Sequence, residues 1–221
     1  AAGARTGALS PADAALLDAF CDALWLEDGL SRNTLESYRR DLAQLAGLTV
    51  NGGGTSAALT LDLRLADGGA TFDAGTLTPA NWGAEDSLRI TGGSGTDTIT
   101  GSGGSDIFAL SAGTDTINGG AGTDTLDLYG LSAGANVDLG TGTVLSNLGS
   151  TTVSSVEQVA DSAYADLLTG SVNADVFRLH GGTHQADLID GGSGGDTIWL
   201  SQGADLRPVT FSSIETLAIE G

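Results

Sequence analysis

Residues 92–127 read GGSGTDTIT, GSGGSDIFA, LSAGTDTIN and GGAGTDTLD, four nonapeptides in unbroken succession. Asp97, Asp106, Asp115 and Asp124 recur every nine residues, and Ile99, Phe108, Ile117 and Leu126 keep the same spacing two positions later. A short fixed period of this kind belongs to a chain that builds one supersecondary unit repeatedly and stacks the copies. Glycine opens backbone conformations that a Cβ forbids, so main-chain carbonyls can be aimed inward, while aspartate adds a hard anionic oxygen. Calcium takes about six to eight such oxygens in a tolerant geometry. One turn offers too few, so each ion is expected to bridge two stacked turns. Two nonapeptides make one full coil, which pairs Asp97 with Asp115 and Asp106 with Asp124. Position eight then lies on a short strand with its apolar side chain in the core.

This pattern resembles the G-G-x-G-x-D-x-U-x repeat of the RTX (repeats-in-toxin) proteins, where U is a large apolar residue. Over residues 92–205 the resemblance implies a mainly β chain, a right-handed parallel β-roll with calcium-binding turns. The candidate calcium ligands in the first repeat are Gly92, Ser94, Gly95 and Asp97, and in the second Gly101, Gly103, Gly104 and Asp106. The third offers Leu110, Ala112, Gly113 and Asp115, and the fourth Gly119, Ala121, Gly122 and Asp124.

A looser second block follows. Asp166 and Asp175 are nine apart, Asp187 comes 12 later, and Asp196 and Asp205 return to nine. All five are candidate ligands. The clearest copy here, GGSGGDTIW, adds Gly191, Ser193 and Gly194 to Asp196, whereas GSVNADVFR keeps Asp175 and loses glycines. SVEQVADSAYADLLTG resembles the lead-in to repeat blocks in RTX proteins. Residues 128–165 are close to two coils in length, and either two coils without calcium or a hairpin excursion built on VDLGTGTV would fit. The segment VTFSSIETLAIEG is expected to cap the open end of the core, because an uncovered roll invites edge association.

Residues 1–47 obey a different pattern. Ser10 before Pro11 reads as an N-cap, with Leu16, Phe20 and Leu24 on one face. Asn33 with Glu36 three residues on reads as a capping box, followed by Leu35, Tyr38, Leu42 and Leu45. A small α-helical hairpin is expected over 1–47, followed by a β-roll domain over 48–221 whose lead-in strand carries Leu59, Leu61, Leu63 and Leu65 in alternation. Residues 20–46, FCDALWLEDGLSRNTLESYRRDLAQLA, resemble the opening helices of the core-binding domain of Xer-type tyrosine recombinases. In that family the segment helps clamp DNA, and Arg32, Asn33, Thr34, Tyr38, Arg39 and Arg40 match its recurrent pattern. The catalytic part of that family has no counterpart after Gly47, so recombinase activity is not implied. Arg39 and Arg40 read most simply as a solvated helix face.

Composition narrows the function. The chain carries 28 acidic residues against 8 arginines and no lysine, a formal net charge of −20. Like-charge repulsion makes nucleic acid or anionic membrane poor partners for the β-part, and cations the natural ones. No apolar run reaches the roughly 18 residues that span a bilayer, and Ala1–Ser10 lacks signal-peptide features. A single cysteine, Cys21, permits no internal disulfide. No phosphate-binding loop and no nucleophile elbow occurs, and His180 with His184 lacks the remaining parts of a zinc site. No enzyme is expected. The leading expectation is an extracellular calcium-binding structural protein of the bacterial surface, of surface-layer or adhesin type, that folds and self-associates on calcium. The alternative is the calcium-binding secretion tail of a type I secreted protease, lipase or toxin, and a DNA-binding recombinase fragment is the third reading.

Overall fold

The computed structural model describes residues 60–75, 86–183 and 186–219. The expected helical hairpin, Cys21, Trp25, Trp82 and His184 lie outside the described residues. Among the described residues every regular element is a strand. The chain opens with β1 (Thr60–Arg64), β2 (Thr71–Asp73), β3 (Ser87–Thr91), β4 (Ser94–Gly95) and β5 (Thr98–Thr100). The first repeat block continues through β6 (Asp106–Ala109), β7 (Ala112–Asn118) and β8 (Thr125–Asp127). Then come β9 (Asn136–Asp138), β10 (Thr143–Ser146), β11 (Gly149–Ser154) and β12 (Gln158–Ala160). The second block holds β13 (Leu167–Thr169), β14 (Val176–Leu179), β15 (Gly182–Thr183), β16 (Leu188–Asp190) and β17 (Thr197–Leu200). β18 (Ala204–Asp205), β19 (Thr210–Ser212) and β20 (Thr216–Ile219) complete it.

These strands alternate between two sheets, as a roll requires. An eight-stranded, wholly parallel sheet A runs β1-β3-β6-β8-β12-β14-β17-β20, and a ten-stranded sheet B runs β19-β16-β13-β9-β10-β11-β7-β5-β2 with β4 beside β7. In the first block successive coils are offset by 18 residues, so that Ile90, Phe108 and Leu126 stack in sheet A and Ile99 stacks on Ile117 in sheet B. Period two along each strand sends these residues inward and their neighbours outward. Ile99, Phe108, Ile117 and Leu126 are all buried, and Phe177, Ile189 and Ile198 continue the same core. Position eight of the nonapeptide is therefore the core position, as its spacing predicts.

Of the two possibilities for residues 128–165, the hairpin forms. β9, β10 and β11 make an antiparallel meander within sheet B, with Val144 opposite Val137 on one side and Thr151 on the other. The turn residue Gly142 has φ of +70°, a left-handed conformation that supports the tight reversal. Sheet A passes straight over this insertion, pairing Leu126 with Val159 across an offset of 33 residues. In the second block the offset grows to 21 residues, seen in Phe177 beside Ile198 and Leu168 beside Ile189. Part of the surplus forms a small third sheet, β15 with β18.

One expectation changes. The C-terminal segment does not close the roll but adds a last coil: β19 and β20 end their sheets, and Phe211, Leu217 and Ile219 remain exposed. Ile214 packs against the core, and among the described residues no further strand follows β19 or β20 in its sheet. Trp199 lies partly buried on the outer face of sheet A, with the Arg178 guanidinium 5.4 Å from its ring centre. On the same face Arg89 reaches Asp127 at 2.6 Å.

Candidate metal centre

The ladder aspartates stand just before or at the start of a strand, except Asp115, which lies within β7. Stacking the coils draws these positions into two lines. Along the line entering sheet B, the Ala70 amide donates to Asp97 Oδ1 at 2.6 Å and the Asp97 amide donates to Asp115 Oδ1 at 2.9 Å. After the meander the line resumes: the Ala135 amide donates to Asp166 Oδ1 at 2.7 Å, and the Asp166 amide to Asp187 Oδ1 at 2.9 Å. Along the line entering sheet A, the Asp106 amide donates to Asp124 Oδ1 and the Asp175 amide to Asp196 Oδ1, both at 2.8 Å. The pairings of Asp97 with Asp115 and of Asp106 with Asp124 are those that a coil of two nonapeptides predicts.

Burial gives these carboxylates their chemistry. Asp97, Asp106, Asp115, Asp124, Asp166, Asp175, Asp187 and Asp196 are all buried. Desolvation penalises the charged form and raises Asp106, Asp166 and Asp175, with donated hydrogen bonds opposing it. Asp124 is pushed up to about 7, chiefly by burial and further by the charges of Asp106 and Glu157. The Oδ2 atoms of Asp97, Asp124 and Asp196 are buried without a hydrogen-bond partner. An unsatisfied buried carboxylate oxygen is costly. A hard cation is the partner that such an oxygen fits.

The glycines bring backbone oxygens to the same places. At position four, Gly95, Gly113, Gly122 and Gly194 all have positive φ. A Cβ on Gly122 would come within 2.6 Å of the Gly104 carbonyl, so the turn demands glycine both for its dihedral and for this close approach. Gly119 and Gly191, at position one, lie against Asp124 Oδ2 and Asp196 Oδ2 respectively. Ser94 and Gly95 pair with Ala112 and Gly113 one coil on. Leu110 takes position one of its repeat with its side chain in the core, and Ala121 and Ser193 bond back to the previous turn through the Ser102 and Ser171 carbonyls. Gly92 lies against Asp97 Oδ2, Gly101 against Asp106 Oδ2, and Gly103 faces open space. Among the described residues no three His, Cys, Asp or Glu side chains converge. The donor set is thus one carboxylate per turn plus main-chain carbonyls, hard oxygens of the type calcium prefers.

Asp205 does not join the ladder. It lies in β18 and is gripped by Arg207, with Nε 2.9 and 3.0 Å and Nη2 2.6 Å from its oxygens. Arg207, two residues on, is near enough to claim the carboxylate. Asp86, outside the repeat register, is also buried. His180 pairs through Nδ1 with Asp161 at 2.7 Å, and that hydrogen bond raises its pKa.

Two features escape the repeat spacing. Glu157 and Glu215 occupy the aspartate place in the line entering sheet A, accepting the Asp124 amide at 3.0 Å and the Asp196 amide at 2.7 Å. Each follows a serine in left-handed conformation, Ser155 at φ +52° and Ser213 at φ +53°. The signal was present: SSVEQVA at 154–160 and SSIETLA at 212–218 are copies of one motif. The other missed feature is the residue four before each aspartate. Ser102, Ser111, Ser162 and Ser171 all donate to the carboxylate that follows them.

Residues 90–126 and 179–206 match the RTX calcium-binding nonapeptide repeat. The first block and the later part of the second are thus RTX repeats. The RTX segments cover less than half of the chain, and Asp166 and Asp175 fall between them although the structure places both in the ladder. Comparison with curated proteins supports the second resemblance. The chain is 49% identical over 59 residues to tyrosine recombinase XerD of Ralstonia nicotianae, 27% of this chain and 19% of that protein. It is 50% identical over 46 residues to the XerD of Xanthomonas axonopodis pv. citri, 21% of this chain and 15% of that protein. The chain spans less than a fifth of the length of these recombinases. Among the described residues no helix is long and apolar enough to cross a membrane.

Proposed function

We propose that this calcium-binding chain is an extracellular structural protein of the bacterial surface, of surface-layer or adhesin type, in which calcium both folds the roll and promotes self-association. The observation that carries this reading is the pair of buried carboxylate lines in a chain of net charge −20. Without a cation each line concentrates negative charge in low dielectric, and self-repulsion opposes the compact state. Calcium reverses that balance, because a ligand that binds only the folded form stabilises it by mass action.

Self-association is supported by two edge strands among the described residues. β19 and β20 present parallel strand edges with Phe211, Leu217 and Ile219 exposed at 47%, 53% and 70%. Such an edge is a template for another strand. Head-to-tail addition of one roll to the next is a heterologous contact, which propagates unless a rotation closes it. Sedimentation velocity of the full chain in calcium and in chelator tests this. Larger species are expected in calcium. A strictly monomeric chain at saturating calcium removes the assembly reading and favours a calcium-binding secretion tail. A shift of duplex DNA in a mobility assay would instead favour a DNA-binding role for residues 1–47.

A further inference from the structure

The ladder aspartates are alike in burial, and all but Asp187, which follows Thr183 and belongs to neither set, divide at Oδ2. The division follows the residue four places earlier, position two of the nonapeptide. Where that residue is serine, the carboxylate is satisfied from within its own turn. Asp106 Oδ2 receives the Ser102 amide at 2.6 Å and its hydroxyl at 3.0 Å. Asp166 Oδ2 receives the Ser162 amide and hydroxyl, both at 2.9 Å. Asp115 Oδ2 takes the Ser111 hydroxyl at 2.9 Å, and Asp175 Oδ2 takes the Ser171 amide at 2.6 Å. Where the residue is glycine, at Gly93, Gly120 and Gly192, the Oδ2 atoms of Asp97, Asp124 and Asp196 have no partner although each residue is 0% exposed.

At two of the three glycine turns the backbone adds to the effect of the missing hydroxyl. Gly120 and Gly192 have φ of +100° and +86°. That conformation turns their amides away from the carboxylate, and they donate instead to Asn118 Oδ1 at 3.2 Å and Asp190 Oδ1 at 3.3 Å. A serine does not readily adopt such a φ. In the serine turns at least one donor is kept on Oδ2: both amide and hydroxyl at Asp106 and Asp166, the hydroxyl at Asp115 and the amide at Asp175.

We infer that position two sorts the turns of this roll into two classes: glycine turns, at Asp97, Asp124 and Asp196, whose carboxylate requires calcium, and serine turns, at Asp106, Asp115, Asp166 and Asp175, whose carboxylate is held by the chain itself. The inference rests on the calcium-binding reading and assigns it to particular turns. Asp124 and Asp196 form a matched pair, because each is followed one coil on by a left-handed serine and a glutamate that accepts its amide. A cation reaching Oδ2 there meets a carboxylate oxygen that nothing in the protein competes for. In the serine turns the same cation must first displace the serine hydroxyl, the serine amide or both.

Calorimetric titration of the full chain with calcium chloride tests this, using the parent and single variants Asp124→Asn, Asp196→Asn, Asp106→Asn and Asp175→Asn. Asp124→Asn and Asp196→Asn should each lose a site or weaken it by about tenfold or more, whereas Asp106→Asn and Asp175→Asn should stay within about twofold, since they remove an oxygen already engaged. Equal losses in both classes, or losses in the serine class alone, overturn the inference while leaving calcium binding intact. A parent that binds no calcium overturns the calcium reading itself. Because an asparagine variant can fail to fold, Ser171→Gly supplies a gain that misfolding cannot imitate: it should add one calcium per chain. An unchanged stoichiometry in folded Ser171→Gly would equally overturn the sorting.

Discussion

Protons should partly replace calcium in this protein. Asp124 moves from the ordinary carboxylate value of 3.8 to about 7 on folding, first because it is buried and then because Asp106 and Glu157 lie near it. Between those values the folded state holds a proton that the unfolded state has released, so stability falls as pH rises and levels off above about pH 7. The shift is roughly three pK units at about 1.4 kcal/mol each, a full penalty of about 4 kcal/mol at pH 8. Lowering the pH to about 5.5 returns roughly 2 kcal/mol of it, about thirtyfold in the folding equilibrium. Asp106, Asp166 and Asp175 are raised by the same desolvation and add in the same direction. In chelator, far-ultraviolet circular dichroism should therefore show β-structure increasing from pH 8 to 5.5, and Asp124→Asn should flatten that dependence. With saturating calcium the dependence should shrink, because the ion stabilises the charged form. A chelated chain with the same β-signal at both values, or with less at pH 5.5, would refute the reasoning.

Further predictions concern the core, a turn and a pair. Phe177→Ala empties a fully buried aromatic site between β12 and β17 and should cost about 3–5 kcal/mol in urea unfolding with calcium present. Ser155→Gly relieves a left-handed serine and should raise stability in the same assay by about 0.5–1 kcal/mol. Because Asp161 raises the His180 pKa, that pair stabilises fully below the unfolded imidazole value of 6.5 and fades as pH rises through the folded one; His180→Gln should therefore lose more stability near pH 5.5 than near pH 8.5, read from denaturant midpoints.

Nine-residue spacing made the roll legible because a single number fixes both the inward residue and the corner residue. It placed Ile99, Phe108, Ile117 and Leu126 in the core and paired Asp97 with Asp115. Spacing carries no information about insertions that keep the register of one sheet and extend the other, so it left residues 128–165 open between coils and a hairpin. The turn glycines of LGTG and NLG were the signal that distinguished them. Asp205 misled because period nine continued into a place where an arginine two residues away claims the carboxylate. Glu157 and Glu215 were missed because a glutamate reaching the same amide breaks the aspartate pattern while preserving its chemistry. Position two was not among the candidate ligand positions, although Ser102, Ser111, Ser162 and Ser171 there donate to the carboxylate that follows.

Sheet A gains one strand per coil from β1 to β20, whether the chain travels 18 residues between neighbouring strands or 33 residues. All variation in length is lodged in the opposite sheet and at the corners. One face of the roll is consequently a ruler, with eight parallel strands at about 4.8 Å spacing spanning roughly 34 Å. The opposite face is where this architecture can accept new sequence without disturbing that pitch. Any partner, or any second copy, that engages the protein through evenly spaced contacts would find them on the regular face, while changes in length on the other would leave its graduations unmoved.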